Sequence, residues 1–182
     1  MISSAAKEFD YVIVGAGSAG CVLANRLSTN PNHRVCLIEA GPPDRSPWIH
    51  LPIGYGKTMW DPKVNWKFNT EPDPGMNGRH IYWPRGKCLG GSSSINGLIF
   101  IRCQKEDYDH WASLGNDGWS WDDVLPYFKK AEGNDRLGAP LHSQEGPLRA
   151  SSIKKKHPLV DAFIASANQL GVPKTEDFNN LE

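Results

Sequence analysis

The residues best placed to do chemistry are glycines. Gly15-Ala16-Gly17-Ser18-Ala19-Gly20 follows a β-branched apolar run, Tyr11-Val12-Ile13-Val14. It opens a stretch whose apolar residues Ala19, Val22, Leu23 and Leu27 suit one helix face. A second apolar run ends in Glu39, near the spacing of ~20 residues at which a carboxylate follows a dinucleotide fingerprint. Each part has its own task. Gly15 permits the tight strand-to-helix turn, Gly17 has no Cβ and lets a pyrophosphate approach the backbone, and Gly20 lets the helix pack on the sheet. The pyrophosphate would sit on the helix N-terminus, where free N–H groups and the macrodipole favour negative charge. Glu39 could accept hydrogen bonds from a ribose diol.

A second segment of the same chemical character spans Arg85-Gly86-Lys87-Cys88-Leu89-Gly90-Gly91-Ser92-Ser93-Ser94-Ile95-Asn96-Gly97. Glycine-rich backbone exposes N–H groups, and such nests bind anionic oxygens. Ser92 and Asn96 are four apart, so they share a face if the segment turns helical. The embedded Leu89 and Ile95, and the following Leu98-Ile99-Phe100-Ile101, are not those of a flexible linker.

These segments need elements to hold them. The spacing predicts a βαβ unit over Phe9 to Gly41, after which the helix–strand alternation stops. Residues 42–84 carry eight of the prolines together with Trp48, Trp60, Trp66 and Trp83. That reads as an ordered functional loop or lid, its tryptophans anchored by burial. His80 to Trp83 suits a short strand, and Glu106 to Leu114 a helix stopped at Gly115. Ser120 caps a further helix whose first turn is acidic and which tolerates an early Pro126. Pro147 to Ala150 suits a strand. Pro158 opens a last helix with a stripe of Leu159, Phe163, Ile164, Ala167 and Leu170, ended by Gly171.

Composition narrows the class. The 182 residues have formal net charge +0 and are 39% hydrophobic, which argues against general nucleic-acid affinity. Lys154-Lys155-Lys156 reads as a solvated loop. No apolar run approaches the ~18 residues of a bilayer span, so a cytoplasmic location is expected, with peripheral membrane association through a partner left open. Cys21, Cys36, Cys88 and Cys103 form no C-x-x-C pair, and no metal site is expected; all four are read as buried, reduced thiols. Of the six histidines, His110 and His157 fall on helices as surface or capping residues. His33, His50, His80 and His142 fall in loops without a carboxylate pattern.

FDYVIVGAGSAGCVLANRLS, VCLIEAG, RGKCLGGSSSINGLIFIR and EDYDHWASLGNDGWSWDDVLPYFKKAE together resemble the glucose-methanol-choline (GMC) oxidoreductases, over most of residues 9–132. GPLRASSIKKKHPLVDAFIASANQLG resembles the start of that family's substrate region. The likeness is to choline dehydrogenases and related alcohol dehydrogenases. It implies FAD, with Gly15, Gly17, Ser18, Ala19 and Gly20 at the pyrophosphate, and Glu39 and Ala40 at the adenosine ribose. It implies Arg85, Gly90, Gly91, Ser92, Asn96, Gly97 and Ile99 around the pyrophosphate and the flavin side. Some members attach FAD covalently through a histidine where this chain has Ile95, so a non-covalent flavin is expected. The family pattern usually carries a glycine or similar small residue where this chain has Cys103.

The fold so implied is α/β: a doubly wound, Rossmann-like FAD-binding domain, incomplete in this chain, with a proline-rich lid and the start of a substrate domain. The expected divisions are an FAD-binding βαβ unit at 1–41, the lid at 42–84, a second FAD-binding segment with helices at 85–132, and the start of the substrate region at 133–182. The family reaction is oxidation of a small alcohol to an aldehyde, with an electron acceptor to reoxidise the flavin. The catalytic histidine and its partner are expected from a far longer chain, and no catalytic residue is expected within these residues. An unpaired sheet edge and a poorly buried fingerprint helix should follow. Two other readings stand beside this one: a non-catalytic fragment or one half of a split enzyme, and a nicotinamide enzyme, which would have no use for the second glycine segment.

Overall fold

The computed structural model describes residues 8–180, which fall into two compact units, one running to Ile99 and the other starting at Phe100. Each is mixed α/β.

In the first unit, β1 (Tyr11–Val14) pairs in parallel with β2 (Val35–Ile38), and α1 (Ser18–Leu27) connects them. The β-branched residues suit extended backbone, and the glycine turn releases the chain into the helix. Gly15 takes φ +91, a left-handed conformation that a Cβ would strain. Gly20 packs so tightly that a Cβ there would meet the Gly15 carbonyl oxygen at 2.0 Å. Among the described residues this sheet has two strands. Val14 is accordingly 83% exposed, and Val12, Val22 and Leu23 are exposed as well.

The proline-rich stretch folds into short pieces: α2 (Pro47–His50), a 3-10 turn at Pro52–Gly54, and α3 (Tyr55–Thr58). A hairpin follows, in which β3 (Phe68–Asn69) pairs antiparallel with β4 (Tyr82–Trp83). Bonds from Trp66 N to Arg85 O (2.9 Å) and from Lys87 N to Val64 O (2.8 Å) continue the ladder beyond the strands. Val64, Cys88 and Ile95 form a small buried core, with Ile49 against it. The tryptophans depart from expectation: Trp48, Trp60, Trp66 and Trp83 all stay substantially exposed. They are held by ring faces instead. Trp60 stacks on Tyr82 at 4.6 Å, and Lys57 lies 4.0 Å from the Trp48 ring centroid. An indole can be fixed by stacking and a cation while one side stays wet.

In the second unit, α4 (Lys105–Ser113) and α5 (Trp121–Ala131) are both closed by capping boxes, Gln104 with Asp107 and Ser120 with Asp123. Trp121 N donates to Asp109 Oδ1 (3.0 Å), tying the start of α5 to α4. Tyr108 packs its ring against Trp111, Trp121 and Phe128. Then β5 (Glu132–Asn134) pairs in parallel with β6 (Leu148–Ala150), and α6 (Pro158–Gln169) follows. The stripe on α6 is not buried among the described residues, with Phe163 76% exposed.

The thiol expectation needs correction. Only Cys88 is buried, and burial pushes its thiol above the ordinary value despite a hydrogen bond with Ser94. Cys21 and Cys103 are exposed and Cys36 is intermediate. Cys21 lies on α1 and its thiol donates to Ala16 O (3.2 Å), and Cys103 sits at φ +67. Among the described residues, no helix is long and apolar enough to cross a membrane, and no cluster of His, Cys, Asp or Glu could hold a metal ion.

Candidate nucleotide-binding cleft

The two glycine segments, far apart in sequence, meet in the first unit. Gly90 N donates to Ala16 O (2.8 Å), and Leu89 N donates to Pro42 O (3.1 Å). Gly91 approaches so closely that a Cβ on it would stand 2.8 Å from Gly17 Cα. Beside this junction opens a cleft of ≈ 470 Å³, within the range of about 300–1,000 Å³ common for small-molecule sites. It lies at the carboxyl ends of β1 and β2, marked by Val14 and Ile38. Ligands of open α/β sheets bind at that end.

Glu39 also lines the cleft. Its Oε2 accepts from Ala16 N (2.7 Å) and its Oε1 from Gly41 N (2.9 Å). Two backbone amides thus fix the carboxylate, while an ionised carboxylate has about four acceptor positions. Lone pairs remain for a diol. The first turn of α1 carries no acidic residue of its own. Its first amides have no intrahelical acceptor, as at any helix start. A Cβ built on Gly17 meets nothing within 4 Å. The protein's own packing therefore gives no reason for a glycine there, whereas close approach of a ligand does. These residues fit a dinucleotide.

Of the residues singled out from sequence, Gly15, Gly17, Glu39, Ala40, Arg85, Gly91 and Ser92 line the cleft. Ser18, Ala19 and Gly20 form the first turn of α1 beside it, and Gly90 makes the bond to Ala16. Asn96, Gly97 and Ile99 are exposed and lie outside the lining. Ser92 and Asn96 do not share a helix face. The 3-10 turn Gly91–Ser94 ends at Ile95, whose φ of −132 breaks the helical path. Ser92 Oγ instead accepts from Gly86 N (3.1 Å), and Asn96 Oδ1 from Leu98 N (3.0 Å). Sequence reasoning passed over Trp66, Phe68 and Gly86 as lining residues. No sequence period marks Trp66 and Phe68 as a pair, because Lys67 between them takes a left-handed φ of +56 and β3 starts only at Phe68.

A different polar group fills the interior of the second unit. Arg102, Glu132 and His142 are buried, and Arg102 Nη2 pairs with Glu132 Oε2. Arg102 Nη1 donates to Leu141 O (2.6 Å). His142 lies between two carboxylates, with Nδ1 2.7 Å from Glu132 Oε1 and Nε2 2.9 Å from Asp177 Oδ2. His50 also has an acid near it, Asp44 at 3.7 Å. The expectation of loop histidines without carboxylates is therefore overturned for both. The acids around His142 come from Glu132 and Asp177, ten or more positions away, beyond any local pattern. Burial by itself would raise the Glu132 carboxyl, but hydrogen bonds from His142 and Asn134 and the charge of Arg102 outweigh it and hold it below the ordinary value.

Comparison with known proteins agrees with this geometry. The family model for GMC oxidoreductases matches residues 9–181. Mitochondrial choline dehydrogenase of Mus musculus is 49% identical over 96% of this chain and 30% of its own length. Alcohol dehydrogenase [acceptor] of Pseudomonas putida is 46% identical over 94% of this chain and 31% of its own. Among solved structures, an FAD-dependent oxidoreductase from Chaetomium thermophilum superposes with a TM-score of 0.80 at 31% identity, over 93% of this chain and 31% of that one. The chain thus spans about a third of the length of the relatives it matches, and its fold is that of part of an FAD-binding α/β domain.

Proposed function

The chain belongs to the GMC oxidoreductase family, and from that premise we propose that it is the FAD-binding portion of an oxidoreductase that converts a small alcohol to an aldehyde. The observation that carries this reading is the docking of Gly90 and Gly91 on Ala16 and Gly17, which joins two anion-binding segments beside one carboxylate. A nicotinamide domain has no use for the second segment.

FAD, when bound, supplies the hydride acceptor. The amides of Ser18, Ala19 and Gly20 and the Gly90–Gly91 backbone would hold the pyrophosphate, and Glu39 and Ala40 the adenosine ribose. Ser92, Asn96, Gly97 and Ile99 belong on the flavin side, with Arg85 adding positive charge. Attachment is non-covalent, since Ile95 offers no nucleophile. The segment 42–84 covers the cofactor, and 133–182 begins the substrate region. Within the cleft lining the one carboxylate is Glu39, already bonded to two amides, and no histidine is present. These lining residues bind and orient a cofactor rather than take the alcohol proton. The exposed apolar residues Val12, Val14, Val22 and Leu23 form a surface suited to cover by protein, either on the same polypeptide or on a second subunit as in a split enzyme. Choline or a similar primary alcohol is the substrate class, with a separate electron acceptor.

Separate titrations of the purified chain with FAD and with NAD, each read by equilibrium dialysis, test the cofactor assignment. Saturable FAD binding with no response to NAD is expected. NAD binding without FAD binding would sink it.

A further inference from the structure

One wall of the cleft is Trp66-Lys67-Phe68, where Lys87 Nζ lies 4.5 Å from the Trp66 ring centroid and both rings stay substantially exposed. Trp66 and Phe68 remain 44% and 50% exposed, although aromatic rings bury more surface than most side chains. Lys67, which has a Cβ, sits at φ +56. Strain of this kind clusters where surrounding structure enforces it, often at ligand-binding positions.

The enforcing group is Asn65, buried with 2% exposure. Its Nδ2 donates to Met59 O (2.5 Å) and to Tyr82 Oη (2.9 Å). Its Oδ1 accepts from Lys67 N (2.9 Å) and Arg85 N (3.0 Å). One side chain therefore sets the left-handed turn at Lys67 and clamps the Trp66 segment to the Arg85 segment. The result is a pair of near-parallel rings, Trp66 and Phe68, with centroids 5.8 Å apart and planes 6° from parallel. Both line the cleft with Glu39 and Gly17.

We propose that Trp66 and Phe68, held by Asn65, form the surface on which a planar heteroaromatic ring of the bound dinucleotide stacks. The inference rests on the FAD reading above. FAD carries two such rings, adenine and isoalloxazine, and either presents a π-face of the required kind. Asn65 is a positioning residue, acting through Trp66 and Arg85 rather than by lining the cleft.

Titrations with FAD, ADP and FMN, read by equilibrium dialysis alongside urea unfolding, test this. Trp66→Leu is expected to weaken FAD about tenfold or more, with the unfolding midpoint nearly unchanged because the ring is half exposed. Loss of ADP affinity identifies adenine as the stacked ring, and loss of FMN affinity identifies isoalloxazine. Asn65→Ala should weaken the same ligands with Trp66 still present, and Asn65→Asp, which keeps the acceptor for Lys67 N and Arg85 N, should recover part of the loss. Undiminished FAD, ADP and FMN binding by Trp66→Leu overturns the stacking surface alone. Failure of the unsubstituted chain to bind FAD overturns the cofactor reading and the stacking with it.

Discussion

The unit up to Ile99 and the unit from Phe100 handle polarity in opposite ways. In the first, the groups that matter are backbone amides, one carboxylate with acceptor capacity to spare, and glycines whose missing side chains leave room. In the second, Arg102, Glu132 and His142 pair with one another out of water. A polar group left available in a cleft is suited to a ligand. A buried and paired one serves the fold, because unpairing it in a low-dielectric interior is costly. The contrast indicates that changes in the first unit should cost binding, and changes inside the second should cost stability.

The largest effect tests the second half of that statement. Glu132→Ala strands Arg102 and His142 in the interior and should destabilise the second unit by about 3–5 kcal/mol, measured by urea denaturation. FAD affinity under native conditions should be kept. The same carboxyl predicts a pH dependence. Its folded value lies below the ordinary 4.5, so its stabilisation is present above that value and is lost as pH falls towards the folded one. Unfolding midpoints measured from neutral to acid pH should fall less steeply for Glu132→Gln.

Next in size is Gly17→Val. The space at Gly17 is open and its φ of −76 suits any residue, so stability should change by about 1 kcal/mol or less. The side chain would stand where the pyrophosphate must approach, and FAD affinity should fall about a hundredfold, roughly 2.7 kcal/mol. Equal affinity would break the assignment of that glycine to the ligand. Glu39→Gln should weaken FAD by about tenfold, because one amide oxygen cannot serve Ala16 N, Gly41 N and a diol together. Isothermal titration would read the change.

The smallest effect concerns Cys103. Its φ of +67 is a conformation that glycine adopts freely. Cys103→Gly should therefore be neutral or stabilising by up to about 1 kcal/mol, seen as a small rise in the thermal midpoint. A clear destabilisation would show that the Cys103 side chain holds its turn through contacts that outweigh the strain.

Much of the local structure was legible in sequence, since its causes are local. Tyr11–Val14 is a strand, Gly15 a left-handed turn, Ser120 a cap, and Gly115 and Gly171 lie just past helix ends because those residue types favour those backbone states wherever they occur. The failures were those of side-chain environment. Trp48, Trp60, Trp66 and Trp83 were expected inside and stand half outside, Cys21 lies exposed on α1, and the stripe on α6 stays uncovered. A pattern of residue types states which face could be buried but not whether a partner covers it.

The sequence by itself determined the family, the dinucleotide fingerprint and the order of elements, because glycine spacing, capping and β-branching act through the backbone over a few residues. Tertiary structure alone decided that Gly91 rests on Gly17, that Asn65 clamps Trp66 to Arg85, and that His142 lies between Glu132 and Asp177. Those arrangements join residues separated by ten to more than seventy positions. At such separations chain packing, rather than local preference, sets which groups meet.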